Sequence, residues 1–423
     1  MSVHGQAPDA AGIARRRYFP AVEGMRGIAA LTVMVGHATM LIPMTGTLGK
    51  IGYWLPDFGV VTFFAISGFL LYRPFVAARY VNEPVRQIAP SYLWRRVVRI
   101  FPAYWVALTL LALWPGLLGD VLGHNWWRYY GLLQIYSPQT TVFGIAPAWS
   151  LCVEISFYVA LPVLAVVMAR VGVGSRRRHG FLWEFCFLVV LAVGSLLYRN
   201  SVTESPLTAY LSLTLLGTMA WFCVGMFLAT LEVGNPASLQ RVRGLLARPE
   251  LCWPLALVLF GAMVAGVPED LELTLPHVIL LQTIVSGIVS GLVLAPAILG
   301  DGHRLVRLSL TNGVIVFFGT VSYGIYLWHL PVLGWFNEQS IVKTSEPEIV
   351  ALLGLGGTTA VLLGTASWYL VEKPLMRRAR SVKAFRRVRR GPVEVAEPDG
   401  AEAAPRPAVE PAPLAQPAPD PGR

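Results

Sequence analysis

The chain has 423 residues, 55% of them hydrophobic and only 14% charged, with a formal net charge of +10. So apolar a composition excludes an ordinary soluble domain. The positive charge falls between apolar runs, where it belongs to membrane topology and lipid contact rather than to a nucleic-acid partner.

Runs long enough to cross a hydrocarbon core of about 30 Å recur ten times. Their approximate spans are 24–44, 58–77, 98–119, 148–170, 181–199, 207–232, 251–267, 274–299, 314–337 and 348–371. The fold class is therefore all-α and polytopic. A cleavable signal peptide does not fit the first run, which is long, begins with Arg26 and lacks a small-residue cleavage site.

That first run holds the first two candidate groups. Arg26 and His37 are eleven residues apart, which returns to nearly the same helix face and separates them by about 16 Å. Each is costly in lipid unless a cavity or a partner receives it. End-anchoring by Arg26 and a structural interhelical bond by His37 are the alternatives. Gly24, Gly27 and Gly36 on this helix allow close approach of a neighbour. In the second span, Phe63-Phe64-x-x-Ser67-Gly68-Phe69 reads either as pocket lining or as a packing contact.

The third span opens with Arg95, Arg96 and Arg99. Arg96 and Arg99 share a face and suit a phosphate held bidentately, although positive-inside topology explains them equally well. Residues 120–147 form the longest predicted outer connection, and Trp126, Trp127, Tyr129 and Tyr130 there fit sugar stacking or an interfacial belt. Glu154, about two turns into the fourth span, calls for a cation, a histidine or its neutral form. His329 in the ninth span lies toward the outer interface, where a histidine costs little. The four cysteines lie in apolar spans without ligand spacing, so no metal site is expected.

Lys and Arg alternate cleanly between loops, placing both termini in the cytoplasm. Three regions follow: a cytoplasmic segment 1–17, a membrane domain 18–378, and a basic, then Pro- and Ala-rich disordered tail 379–423.

Six of these stretches together resemble the acyltransferase-3 family of integral membrane O-acyltransferases. They are Glu23–His37, Phe63–Phe69, Arg96-x-x-Arg99 with Pro102-Ala103-Tyr104, Trp149-Ser150-Leu151-x-x-Glu154, Ser322-Tyr323-Gly324-x-Tyr326 and Glu372-Lys373-Pro374. The resemblance implies transfer of an acyl group, usually acetyl, from acyl-CoA to a hydroxyl of a carbohydrate, envelope glycolipid or glycosylated metabolite in the inner membrane. Acyl-CoA is then a co-substrate, with no tightly bound cofactor. Counterparts of Arg26, Arg96 and Arg99 belong to the acyl-CoA side, and those of His37 and Glu154 to activity. On this reading His37 is the general base, and Glu154 orients the acceptor or fixes the imidazole tautomer.

Three departures stand out. Many members carry an Asp where this chain has Val61-Thr62, and Glu23 replaces the commoner Asp. Some relatives continue into a soluble hydrolase-like domain, which is not expected here. A secondary transporter or flippase of an envelope precursor is the rival reading.

Overall fold

The computed structural model describes residues 18–42, 44, 46–80, 85–114, 118–171, 180–234, 237–266, 275–300, 302–339 and 348–381. The predicted segment 1–17 and nearly all of the predicted tail lie outside the described residues, as do Arg176–Arg178 and Lys343.

Ten long helices follow in order, with no strand among the described residues: α1 Pro20–Leu41, α2 Gly46–Tyr80, α3 Val85–Leu113, α4 Trp149–Val171, α5 Gly180–Thr203, α6 Leu215–Gly234, α7 Pro249–Gly266, α8 Pro276–Leu299, α9 Gly313–Glu338 and α10 Glu348–Ala379. Among them, α2–α10 are long and apolar enough to cross a membrane. Helix α1 has 22 residues and a length of about 33 Å, with Glu23, Arg26 and His37 breaking its apolar run. The architecture is an all-α polytopic membrane fold.

Helix α1 packs most extensively against α2 and α9, and α2 against α6. Pro20 opens α1, since its fixed φ and missing N–H suit a first helical turn. The contact with α9 depends on small residues. A Cβ at Gly27 would sit 2.7 Å from the Gly319 nitrogen and 2.8 Å from the Ile315 oxygen, distances no side chain tolerates.

Two helices are longer than their hydropathy suggests. Helix α2 starts at Gly46 rather than near 58, because Trp54, 2% exposed, is buried among Met263, Val264 and Val278 of α7 and α8. Asp57 also accepts a hydrogen bond from Gln282 of α8. Helix α3 starts at Val85, so Arg96 and Arg99 lie within it rather than at its mouth. The last helix contains two π-helical turns, Leu353–Gly357 and Trp368–Glu372, a local widening common at functional sites.

One charged cluster joins α2, α5 and α6. Glu184 accepts from Arg79 at 2.5 Å, from the Tyr72 hydroxyl at 2.6 Å and from Thr230 at 3.0 Å. Nearby, Arg73 pairs with Glu232 at 2.8 Å.

Candidate functional site

Side chains from α1, α2, α3, α4 and α9 wall a cavity that is partly open to its surroundings. Four of the five residues singled out in the sequence line it: Arg26, Arg96, Arg99 and Glu154. Three guanidiniums and one carboxylate thus share the lining, and the guanidinium forks suit an anion.

Each of these groups is held differently. Arg26 stands 3.6 Å from Glu23, three residues before it on α1, with side-chain exposures of 13% and 24%. The Arg96 guanidinium lies over the Tyr158 ring at 5.9 Å. Its buried Nε has no hydrogen-bond partner among the described residues, and neither has the hydroxyl of Tyr92 one turn earlier. A buried donor left unpaired costs about 1–3 kcal/mol, which a bound acceptor would recover. Glu154 accepts from Ser67 at 2.5 Å and also pairs with the Tyr158 hydroxyl.

Glu372 belongs to the same electrostatic neighbourhood. It is 3% exposed, accepts from Ser367 at 3.3 Å and lies within Coulombic reach of Arg99 and Arg26. The Glu-Lys-Pro motif was its only signal in the sequence. Thr62, standing where many relatives carry Asp, turns away from the cavity: its hydroxyl donates to the Phe58 carbonyl and pairs with Ser290 of α8 at 3.1 Å.

His37 is not among the cavity-lining side chains. It lies past the midpoint of α1, about 26 Å from the helix start. Its Nδ1 is 3.0 Å from Nε2 of His329 on α9, with ring centroids 5.1 Å apart. His329 is 1% exposed, and its Nδ1 meets the carbonyls of Tyr326 at 2.9 Å and Ile325 at 3.1 Å. Tyr326 stands between the two halves of the site. Its ring lines the cavity and is 5.7 Å from that of His329, while its hydroxyl donates to the Pro147 carbonyl at 2.9 Å and pairs with Ser150 at 2.7 Å.

The His37–His329 contact is the part that sequence reasoning missed. The two rings are 292 positions apart, and neither helix alone points to the other. Glu154, expected as a possible partner of the imidazole, is bonded to Ser67 and Tyr158 instead.

Comparison with known proteins adds the family. A protein of Staphylococcus aureus (strain COL) whose name proposes an O-acetyltransferase is 24% identical over 393 residues, covering 88% of this chain and 59% of its own. Nodulation protein 10 of Rhizobium leguminosarum bv. viciae is 27% identical over 394 residues, covering 86% and 94%. A Bacillus subtilis (strain 168) protein whose name proposes a peptidoglycan O-acetyltransferase is 24% identical over 390 residues, covering 88% and 56%. The chain therefore spans about 59% of the length of the S. aureus relatives it matches. No solved structure matches it. The family model described as an acyltransferase domain matches residues 19–367, a stretch that contains every helix walling the cavity and both histidines; the chain belongs to the acyltransferase-3 family.

Proposed function

We propose that this chain is a membrane-bound O-acyltransferase that moves an acetyl group from acetyl-CoA to a hydroxyl of an envelope glycan. The observation that carries the reading is the cavity that Arg26, Arg96 and Arg99 line together with a single carboxylate, with the Arg96 Nε unpartnered among the described residues. Guanidinium forks suit the phosphates of CoA. Positive-inside topology puts that end of the bundle, and both termini, on the cytoplasmic side where acyl-CoA is made. The names of the S. aureus and B. subtilis relatives supply acetyl as the acyl group and the cell wall as the place to look for the acceptor.

In the reaction, the acceptor oxygen attacks the thioester carbon as His37 takes the hydroxyl proton. The carbon–sulfur bond then breaks, and the imidazolium returns the proton to the CoA sulfur. General-base catalysis of this kind contributes about 10²–10⁴-fold. Glu154, bonded to Ser67 in the cavity, orients the acceptor, whose hydroxyls a carboxylate can accept from.

Detergent-purified protein given acetyl-CoA and muropeptides should release free CoA thiol and acetylate the glycan. His37→Ala should abolish turnover with CoA binding intact. Movement of a glycan across proteoliposomes without thiol release would overturn the enzyme reading in favour of a transporter.

A further inference from the structure

We infer that His329 is a positioning residue for His37, holding its imidazole in the tautomer whose unshared electron pair lies on Nε2. The inference rests on His37 acting as the base, and it follows from donor and acceptor accounting at four atoms. His329 Nδ1 faces two carbonyl oxygens, Tyr326 at 2.9 Å and Ile325 at 3.1 Å. Carbonyls only accept, so that nitrogen carries the hydrogen. A neutral imidazole protonated on Nδ1 has a bare Nε2, which accepts. The atom 3.0 Å from it is His37 Nδ1, which therefore donates. The His37 Nε2 is left as the basic atom.

The opposite arrangement is costly. It needs either a bare His329 Nδ1 pointed at two carbonyls or a doubly protonated ring at a position 1% exposed. The Val33 carbonyl, one turn before His37, also accepts from the His37 ring, in keeping with a hydrogen on Nδ1.

In Ser-His-Asp sites a carboxylate orients the base and stabilises the imidazolium. Here a neutral imidazole anchored on backbone carbonyls does the orienting. Glu154, the carboxylate that the sequence offers for that task, is occupied with Ser67. As His37 takes the acceptor's proton on Nε2, its Nδ1–H continues to donate to His329. The acceptor O–H breaks, its oxygen bonds the acetyl carbon, the C–S bond breaks, and the proton passes from Nε2 to the thiolate.

The test has a spectroscopic arm and a kinetic arm. In detergent-solubilised protein labelled with ¹⁵N-histidine, the parent should show a resonance from an unprotonated Nε2 that His37→Gln removes. In His329→Ala it should shift toward the Nε2-protonated form that free histidine prefers. With acetyl-CoA and muropeptides as substrates, His329→Ala should lower kcat by about 10²-fold and leave KM for acetyl-CoA unchanged, since the arginine cavity lies beyond Tyr326. His329→Gln brings an amide oxygen near the lost Nε2 and should recover most of the rate. His329→Phe fills the space without an acceptor and should stay as slow as His329→Ala. In a His37→Ala background, His329→Ala should cost nothing further.

If Val33 alone suffices, His329→Ala will keep the parent spectrum and kcat, and the inference falls. Equal rates for the Gln and Phe variants would also overturn it, by reducing His329 to packing. A parent that shows the expected tautomer but releases no thiol would instead sink the enzyme reading, so the two failures are distinguishable.

Discussion

Two clusters of buried charge share this bundle and are built on opposite plans. Around Glu184, every charge is answered: Arg79, Tyr72 and Thr230 all donate to one carboxylate, and Arg73 has Glu232. Around Glu154, three arginines line a cavity, and the Arg96 Nε goes without a partner among the described residues. A saturated cluster of this kind joins helices, because breaking it leaves a bare ion in a poor solvent. An unsaturated one beside empty space is poised for a ligand. Both contain buried arginines, so burial alone does not separate structure from function; an unpaired N–H that borders a cavity does.

Four substitutions sharpen or break that contrast. The largest effect is expected from Glu184→Ala, which strands Arg79 and should cost about 3–5 kcal/mol of stability. Chemical denaturation in detergent should show this loss while affinity for CoA, measured by calorimetry on the surviving folded fraction, stays put. Arg96→Ala comes next. Losing charge-assisted bonds worth about 1.5–3 kcal/mol should weaken CoA binding roughly 10–100-fold, more at low salt than at high, with stability unchanged or higher. If Arg96→Ala unfolds the protein instead, the two clusters are alike and the contrast fails. Glu154→Gln should act in two directions, tightening CoA binding a few-fold by removing a negative charge from the cavity while slowing turnover. Ser67→Ala, which deletes one donor to Glu154, should cost about 1 kcal/mol, under tenfold in CoA affinity.

The fold was largely legible because lipid leaves few options: nine of the ten long helices announce themselves by length and hydropathy. The misses had a local cause. Gly46–Asp57 contains Lys50 and Pro56 and reads as a loop, yet burial of Trp54 and the Asp57–Gln282 bond make it helix. Tertiary packing outweighs propensity there. At the site, Arg26, Arg96, Arg99 and Glu154 could be found one helix at a time, since each is expensive where it stands. His329 could not. A histidine near an interface is cheap, and its meaning lies in a ring on another helix. Thr62 is instructive in the same way: it occupies the position of a family Asp but faces Ser290.

The pairing of α1 with α9 has an evolutionary consequence. Gly27 lies against Gly319, and His37 meets His329, so both contacts keep one constant offset of 292 positions. The helices run parallel in a fixed register. A single-residue deletion between Gly27 and Gly36 would leave the glycine contact in place and swing His37 through about 100°. Insertions are therefore tolerable in the loops but not within these two segments. Chimeras between relatives should exchange α1 and α9 together, as one inherited unit, although seven long helices separate them in the chain.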